Sequence, residues 1–241
     1  MAELINLTPT PPRKPKHNHR CAAVPRLVVG LLILAMLATS PVYASSKNTG
    51  EQAENNGQEL ATSRVDSLHE QLIRVMKQRS DTGAEQRYER LLGVVEEHFD
   101  VALIGRIALG RRHWANLSKE QRHEYVDHLR KLIAARYADR LGEFKGQEFR
   151  TGSSESTSSD RIAVKSELRT ADSDTVSLHY RLFLRDDQWR IYDVVSKGVS
   201  DLSMMRSQFN EVFGESGFAA LINTLDERIS KYRGQSIHNN S

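Results

Sequence analysis

The chain has 241 residues, with 34 Lys and Arg, 31 Asp and Glu, and one cysteine, Cys21. Its first 44 positions hold five of the basic residues and one of the acidic ones, so the remainder carries 29 basic against 30 acidic side chains, and the clustered basic excess of a nucleic-acid-binding domain is missing. Because Cys21 lies in that same stretch, disulfides, thiolate zinc sites and cysteine nucleophiles are excluded from the rest.

Residues 1–44 read as an export signal. Arg13, Lys14, Lys16, Arg20 and Arg26 form a basic leading region, residues 27–38 an apolar run, and Val42-Tyr43-Ala44 a small-residue cleavage motif that would leave Ser45 first. The apolar run has 12 residues and Pro41 follows it, which is short of the roughly 20 residues a membrane-spanning helix needs. Residues 45–58 are almost free of apolar side chains and are expected to be a flexible leader. A single domain is expected over residues 59–233, and a disordered tail over 234–241.

Within that domain Leu60, Val65, Leu68, Leu72, Ile73 and Met76 recur at helical spacing, and the sequence Ser80-Asp81-Thr82-Gly83 breaks the pattern. Tyr88, Leu91, Leu92 and Val95 mark a second helix. Asp100 is a suitable N-cap for a third, which carries Leu103 and Ile107 and runs to Gly110. Residues 118–141 form the clearest helix: Ser118 and Gln121 have capping-box spacing, and Tyr125, Val126, Leu129, Leu132, Ile133, Tyr137 and Leu141 make a broad apolar stripe.

After Gly142 the period changes to two. Ile162, Val164 and Leu168 alternate with polar residues, as do Val176, Leu178, Tyr180, Leu182 and Leu184, and residues 188–196 follow a short Asp186-Asp187 break. An earlier strand is expected over 147–151, and the Ser-rich residues 152–160 as an exposed loop. Two helices, 200–213 and 216–232, close the domain. The order helices, four short-linked strands, helices predicts an α+β fold: a twisted antiparallel sheet of about four strands covered by helices.

The titratable residues do not assemble into a site. His98 and Asp100 flank Phe99 at a helix junction, where packing and capping account for them. His123 and His128 are five apart, about 140° around a helix, so they cannot share a metal. His179, Arg181 and Asp193 lie on strands, and the alternation turns His179 and Arg181 away from the Val176, Leu178 and Tyr180 face. No catalytic residue, metal site or cofactor is therefore assigned. A small-molecule enzyme of cone-like α+β architecture stays open as the alternative reading.

Residues 97–140, 188–210 and 217–225 resemble the toluene-tolerance (MlaC-like) family of periplasmic ABC-transporter auxiliary proteins. The likeness rests on Phe99-Asp100, Leu109-Gly110 followed by Trp114, Glu120-Gln121-Arg122, Tyr137, Trp189, Tyr192-Asp193, Gly198-Val199-Ser200 and Ser207-Gln208-Phe209, in that order. Between Gly110 and Trp114 the chain has one residue more than the common spacing. Some runs, such as Val75-Met76-Lys77-Gln78, also look like relatives associated with hopanoid biosynthesis.

The resemblance implies an apolar cavity between sheet and helices, with a membrane lipid, phospholipid or hopanoid, as cargo rather than cofactor. It implies a periplasmic carrier between the inner and outer membranes. Its partners would be an inner-membrane ABC-transporter complex with a lipid-binding ring and an outer-membrane lipoprotein complex. Val199 is expected in the cavity wall with Tyr137 and Ile191 near it. The strand and helix faces would supply Leu103, Ile107, Leu129, Ile133, Val164, Val176, Leu178, Tyr180, Trp189 and Met205.

Overall fold

The computed structural model describes residues 47–78, 83–142, 144–170, 172 and 174–238. The expected signal and its cleavage point lie outside them, as do residues 239–241 of the expected tail.

Helix α1, Lys47–Lys77, buries Ala61, Val65, Leu68, Leu72, Val75 and Met76 along one side. Leu60 stands outside this stripe, about half exposed. Residues 47–58 are helical rather than a flexible leader. Extending a helix that is already anchored adds a backbone hydrogen bond per residue without a new nucleus. Here the extension also reaches the sheet, since a Cβ added at Gly57 would stand 3.5 Å from the Trp189 ring.

Helix α2, Ala84–His98, buries Tyr88, Leu91, Leu92, Val94 and Val95. At its end the Asp100 amide donates to the Ile191 carbonyl (2.9 Å), tying the helix junction to the sheet. Helix α3, Val101–Asn116, starts on the predicted cap, with Asp100 Oδ1 accepting from the Leu103 amide at 2.9 Å. It bends at Gly110, whose φ of 79° is open to glycine and strained for other residues. Asn210 Nδ2 donates to the Ala108 carbonyl freed beside that bend (2.6 Å).

Helix α4, Lys119–Arg140, carries the complete capping box: Gln121 N donates to Ser118 Oγ, and Ser118 N to Gln121 Oε1. Its stripe of Tyr125, Leu129, Leu132, Ile133, Ala134, Ala135 and Ala138 is buried between α2, α3 and the last helix. Gly105 of α3 lets that helix approach, because a Cβ there would lie 3.1 Å from the Tyr125 ring.

The sheet is an antiparallel meander, β1 (Glu148–Ser158), β2 (Arg161–Arg169), β3 (Thr175–Arg185), β4 (Gln188–Ser196) and β5 (Val199–Ser200), in spatial order 1-2-3-4-5. The α+β architecture is as the sequence predicts, with the two-residue β5 as a fifth strand. Asp186 and Asp187, at φ 48° and 58°, make the tight β3–β4 turn. The Ser-rich residues 152–158 continue β1 along β2 instead of looping out. An edge strand is held by its ladder of backbone hydrogen bonds and needs no apolar alternation, so the pattern could not reveal it. Ile162, Val164, Tyr180, Leu182 and Ile191 lie buried beneath the helices, while Lys165, Glu167, His179 and Arg181 are exposed on the other face.

Helix α5, Asp201–His238, consists of two helical pieces, as expected, which meet at Gly217 with φ 77°. It continues to His238, so residues 234–238, expected as tail, are helical.

A cavity at the junction of sheet and helices

A cavity of about 220 Å³ opens between the inward face of the sheet and helices α1, α3, α4 and α5. Its apolar wall comes from Leu72 of α1, Phe99 and Ile104 at the start of α3, Ile133 and Leu141 on and after α4, Phe149, Leu168, Val176 and Leu178 on the strands, and Leu202 and Met205 of α5. Arg136, Tyr137 and Arg140 of α4 close one side together with Tyr192, Asp193 and Ser196 of β4 and with Asp201.

Of the residues expected around such a cavity, Ile133, Tyr137, Val176, Leu178, Tyr180 and Met205 are in the wall. Leu129, Val164 and Ile191 face the same interior but are filled over by neighbours, each fully buried in the core. Leu103 is buried on α3, and Ile107 packs on the core from outside. Trp189 closes a different space, a groove of about 740 Å³ between the first half of α1 and the hairpin tips. That groove mixes polar groups, among them Glu54, Asn56, Ser156, Ser158 and Asp187, with the apolar side chains of Leu60, Ile162, Leu184 and Trp189, and is less uniformly apolar than the smaller cavity. Val199, expected in the wall, is not among the residues that line the cavity: it is half exposed and pairs in the sheet with Ser196 of the wall.

Ile104, Phe149, Leu202 and the arginines were not singled out by sequence, and Phe99, Leu168 and Tyr192, though named in the resemblance or the strand pattern, were not placed at the cavity. Tyr192 owes its place to a bulge: Arg181 pairs with Asp193 and Leu182 with Ile191, leaving Tyr192 as the extra residue between them. A bulge has no signature in alternation. Phe99 was visible as the residue between His98 and Asp100 and as part of the resemblance, without a direction toward the cavity.

The polar groups around the cavity are engaged in holding it. Asp193 is buried, and its carboxylate accepts from Arg181 Nη1 (3.0 Å), from Ser200 Oγ (2.8 Å) and from the Leu202 amide (3.1 Å). It therefore fastens the first turn of α5 to β4. Asp201 accepts from Arg136 Nη2 at 2.8 Å.

On the opposite wall, His69 of α1 stacks on Phe149 with ring centroids 4.3 Å apart and contacts the Tyr180 hydroxyl through Nε2 at 3.0 Å. Its Nδ1 lies 3.3 Å from Thr151 Oγ1, which itself donates to the Asp66 carboxylate. Because the threonine proton is committed to Asp66, Nδ1 must donate to Thr151, and Nε2 is left to accept from Tyr180. Burial pushes His69 down to about 4, against the opposing pull of Asp66, so the imidazole is neutral. Burial also raises the Tyr180 and Tyr137 hydroxyls, and the negative charge of Asp201 adds to the effect on Tyr137.

The remaining candidates for chemistry lie apart from one another. His98 donates from Nδ1 to the Val94 carbonyl (3.0 Å) and has Ser67 Oγ 3.3 Å from Nε2, while burial lowers its pKa. Asp100 caps α3 and also meets Arg185 at 3.0 Å. His179 meets Ser177 Oγ, at 3.3 Å, on the exposed sheet face. His128 lies 3.3 Å from Asp226 of α5, and His123 is exposed. No group of three or more metal-ligating side chains occurs among the described residues.

The sequence profile described as MlaC protein matches residues 66–227. Among solved structures, a phospholipid-binding protein from Ralstonia solanacearum, in complex with a phospholipid, is similar with a TM-score of 0.62. It shares 20% sequence identity, and the alignment covers 71% of this chain and 98% of that one, which is a likeness of fold. Comparison with curated proteins yields no match.

Proposed function

Since the chain belongs to the MlaC family, by a match over residues 66–227, we propose that it is a lipid carrier whose cargo places its acyl chains in the cavity under the sheet. The observation that carries this reading is the makeup of the wall. Leu72, Ile104, Ile133, Leu178, Leu202 and Met205 face open space, while Asp193, Asp201 and His69 beside them are occupied by protein partners. The phospholipid held by the Ralstonia protein of similar fold supports the same reading.

The energetics require such a wall. Each methylene taken out of water contributes about 0.8 kcal/mol, so two tails of about fifteen carbons resist transfer through water by roughly 24 kcal/mol gross. A protein that replaces water around the tails removes that barrier without breaking a bond. The cavity volume of about 220 Å³ is below the roughly 300–1,000 Å³ of small-molecule sites, so loading two tails widens the space between α4, α5 and the sheet.

An enzymatic reading would need an activated nucleophile or an acid-base pair at the cavity. The Tyr137 and Tyr180 hydroxyls are held protonated, and the His69 proton donor points at Thr151, away from the cavity-lining Tyr180. Binding and release therefore describe this site better than catalysis. The carrier acts in the periplasm after export and cleavage at Ala44. It takes up and delivers lipid by docking to an inner-membrane ABC-transporter complex and an outer-membrane lipoprotein complex.

Native mass spectrometry of the protein purified from its host tests the reading. The expected species begins at Ser45 and carries the added mass of a membrane lipid. Protein that emerges empty from repeated preparations and takes no lipid from vesicles overturns it.

A further inference from the structure

The cavity wall holds two arginines, Arg136 and Arg140, and two aspartates, Asp193 and Asp201, but one aspartate is paired by an arginine from outside the wall. Asp193 is matched by Arg181 and Asp201 by Arg136, each at hydrogen-bonding distance. The fourth charged residue of the wall, Arg140, has no ion-pair partner among the described residues. It lies one helical turn beyond Arg136 and three residues beyond Tyr137, so the three side chains share one flank of α4. Arg140 is exposed and Arg136 largely covered, which places the open end of the cavity at Arg140. Complementing the helix dipole explains a cation in the last turn of α4, but not its place in the wall of an otherwise apolar cavity.

We propose that Arg140, with the Tyr137 hydroxyl beside it, forms a recognition site for the phosphate of the lipid headgroup. This rests on the lipid-carrier reading above. A guanidinium presents a planar fork of donors that matches phosphate oxygens two at a time, and a phenol adds one more donor. Burial and the charge of Asp201 keep the Tyr137 proton in place, so the hydroxyl can only donate to an anion. The paired Arg136 and Asp201 hold the rim without adding net charge, leaving Arg140 as the single attraction. With the tails under the sheet and the phosphate at Arg140, the lipid has one orientation, headgroup outward at the end of α4.

The test uses two lipids with identical tails, dioleoylphosphatidylglycerol and dioleoylglycerol, offered together in vesicles to the chain from Ser45 onward, with loading read by native mass spectrometry. Wild type is expected to load the phosphate-bearing lipid in preference. Arg140→Gln should reduce that preference about tenfold, the scale of a charge-assisted hydrogen bond. Arg140→Lys should restore part of it, because the charge returns without the fork. An unchanged melting curve for Arg140→Gln shows that the loss is not one of folding.

Equal loading of the two lipids by wild type, or an undiminished preference in Arg140→Gln, overturns the proposal while leaving the carrier reading intact. Failure of wild type to load either lipid removes both. Loss of the preference on adding inorganic phosphate alone assigns the site to a free anion and counts against the headgroup.

Discussion

His69 is the residue at which acidity acts on this fold. Its pKa is about 4 in the folded chain against an ordinary 6.5. Above pH 6.5 the imidazole is neutral in both folded and unfolded states and pH has no effect through it. As pH falls from 6.5 towards 4 the unfolded chain binds a proton that the folded chain refuses, so stability drops by about 1.4 kcal/mol per pH unit. His98, also lowered by burial, acts in the same direction. Urea unfolding at pH 7 and pH 5 should therefore show His69→Gln losing about 2 kcal/mol less stability than wild type over that interval. Parallel losses in the two proteins would mean that His69 is not the group responsible. Protonation would also remove the acceptor for the Tyr180 hydroxyl, so the cost and the loosening of the cavity wall come together.

Two helix starts separate stability from binding. Ser118 caps α4 at the surface, and Asp193 caps α5 from within the cavity wall. Ser118→Ala should cost about 1 kcal/mol through the lost cap and leave lipid loading unchanged, since the stripe of α4 is anchored along its whole length. Asp193→Ala removes a cap of similar worth and also the joint between β4 and the turn of α5 that carries Leu202 and Met205 to the cavity. Its stability should fall by about 1–2 kcal/mol. Lipid retention, read on the folded fraction, should fall with it. An Asp193→Ala protein with full lipid occupancy would show that the start of α5 is positioned without this carboxylate.

At the scale of the molecule the question is which of two spaces holds the cargo. The smaller is walled mainly by apolar side chains, and the larger groove by a mixture in which Glu54, Ser156, Ser158 and Asp187 stand among Leu60, Ile162, Leu184 and Trp189. Leu178→Glu sets a carboxylate without a partner against the apolar wall of the first. Leu60→Glu places the same charge on the second, at a residue already 52% exposed. Native mass spectra of the two variants should show an empty Leu178→Glu protein and a loaded Leu60→Glu protein, both folded by circular dichroism. The reverse result would move the cargo to the groove under α1.

The sequence by itself determined the order of the elements, the α+β class, the caps at Asp100 and Ser118 and the face of each inner strand that turns inward. All of these follow from the helical and strand periods and from hydrogen bonds between residues a few positions apart. It did not reveal β1 beyond Thr151 or the first turns of α1, because a ladder or a helix extended from an anchored neighbour needs no apolar pattern of its own. Only the tertiary structure decided which inward residues meet a neighbour and which meet open space. Val164 and Leu178 both face the helices, yet Val164 is sealed in the core and Leu178 lines the cavity. That difference depends on where α1, α4 and α5 cross the sheet, and on contacts such as His69 with Tyr180, 111 positions apart. No local spacing carries that information, since a side chain's period shows the direction it points and not whether anything stands there.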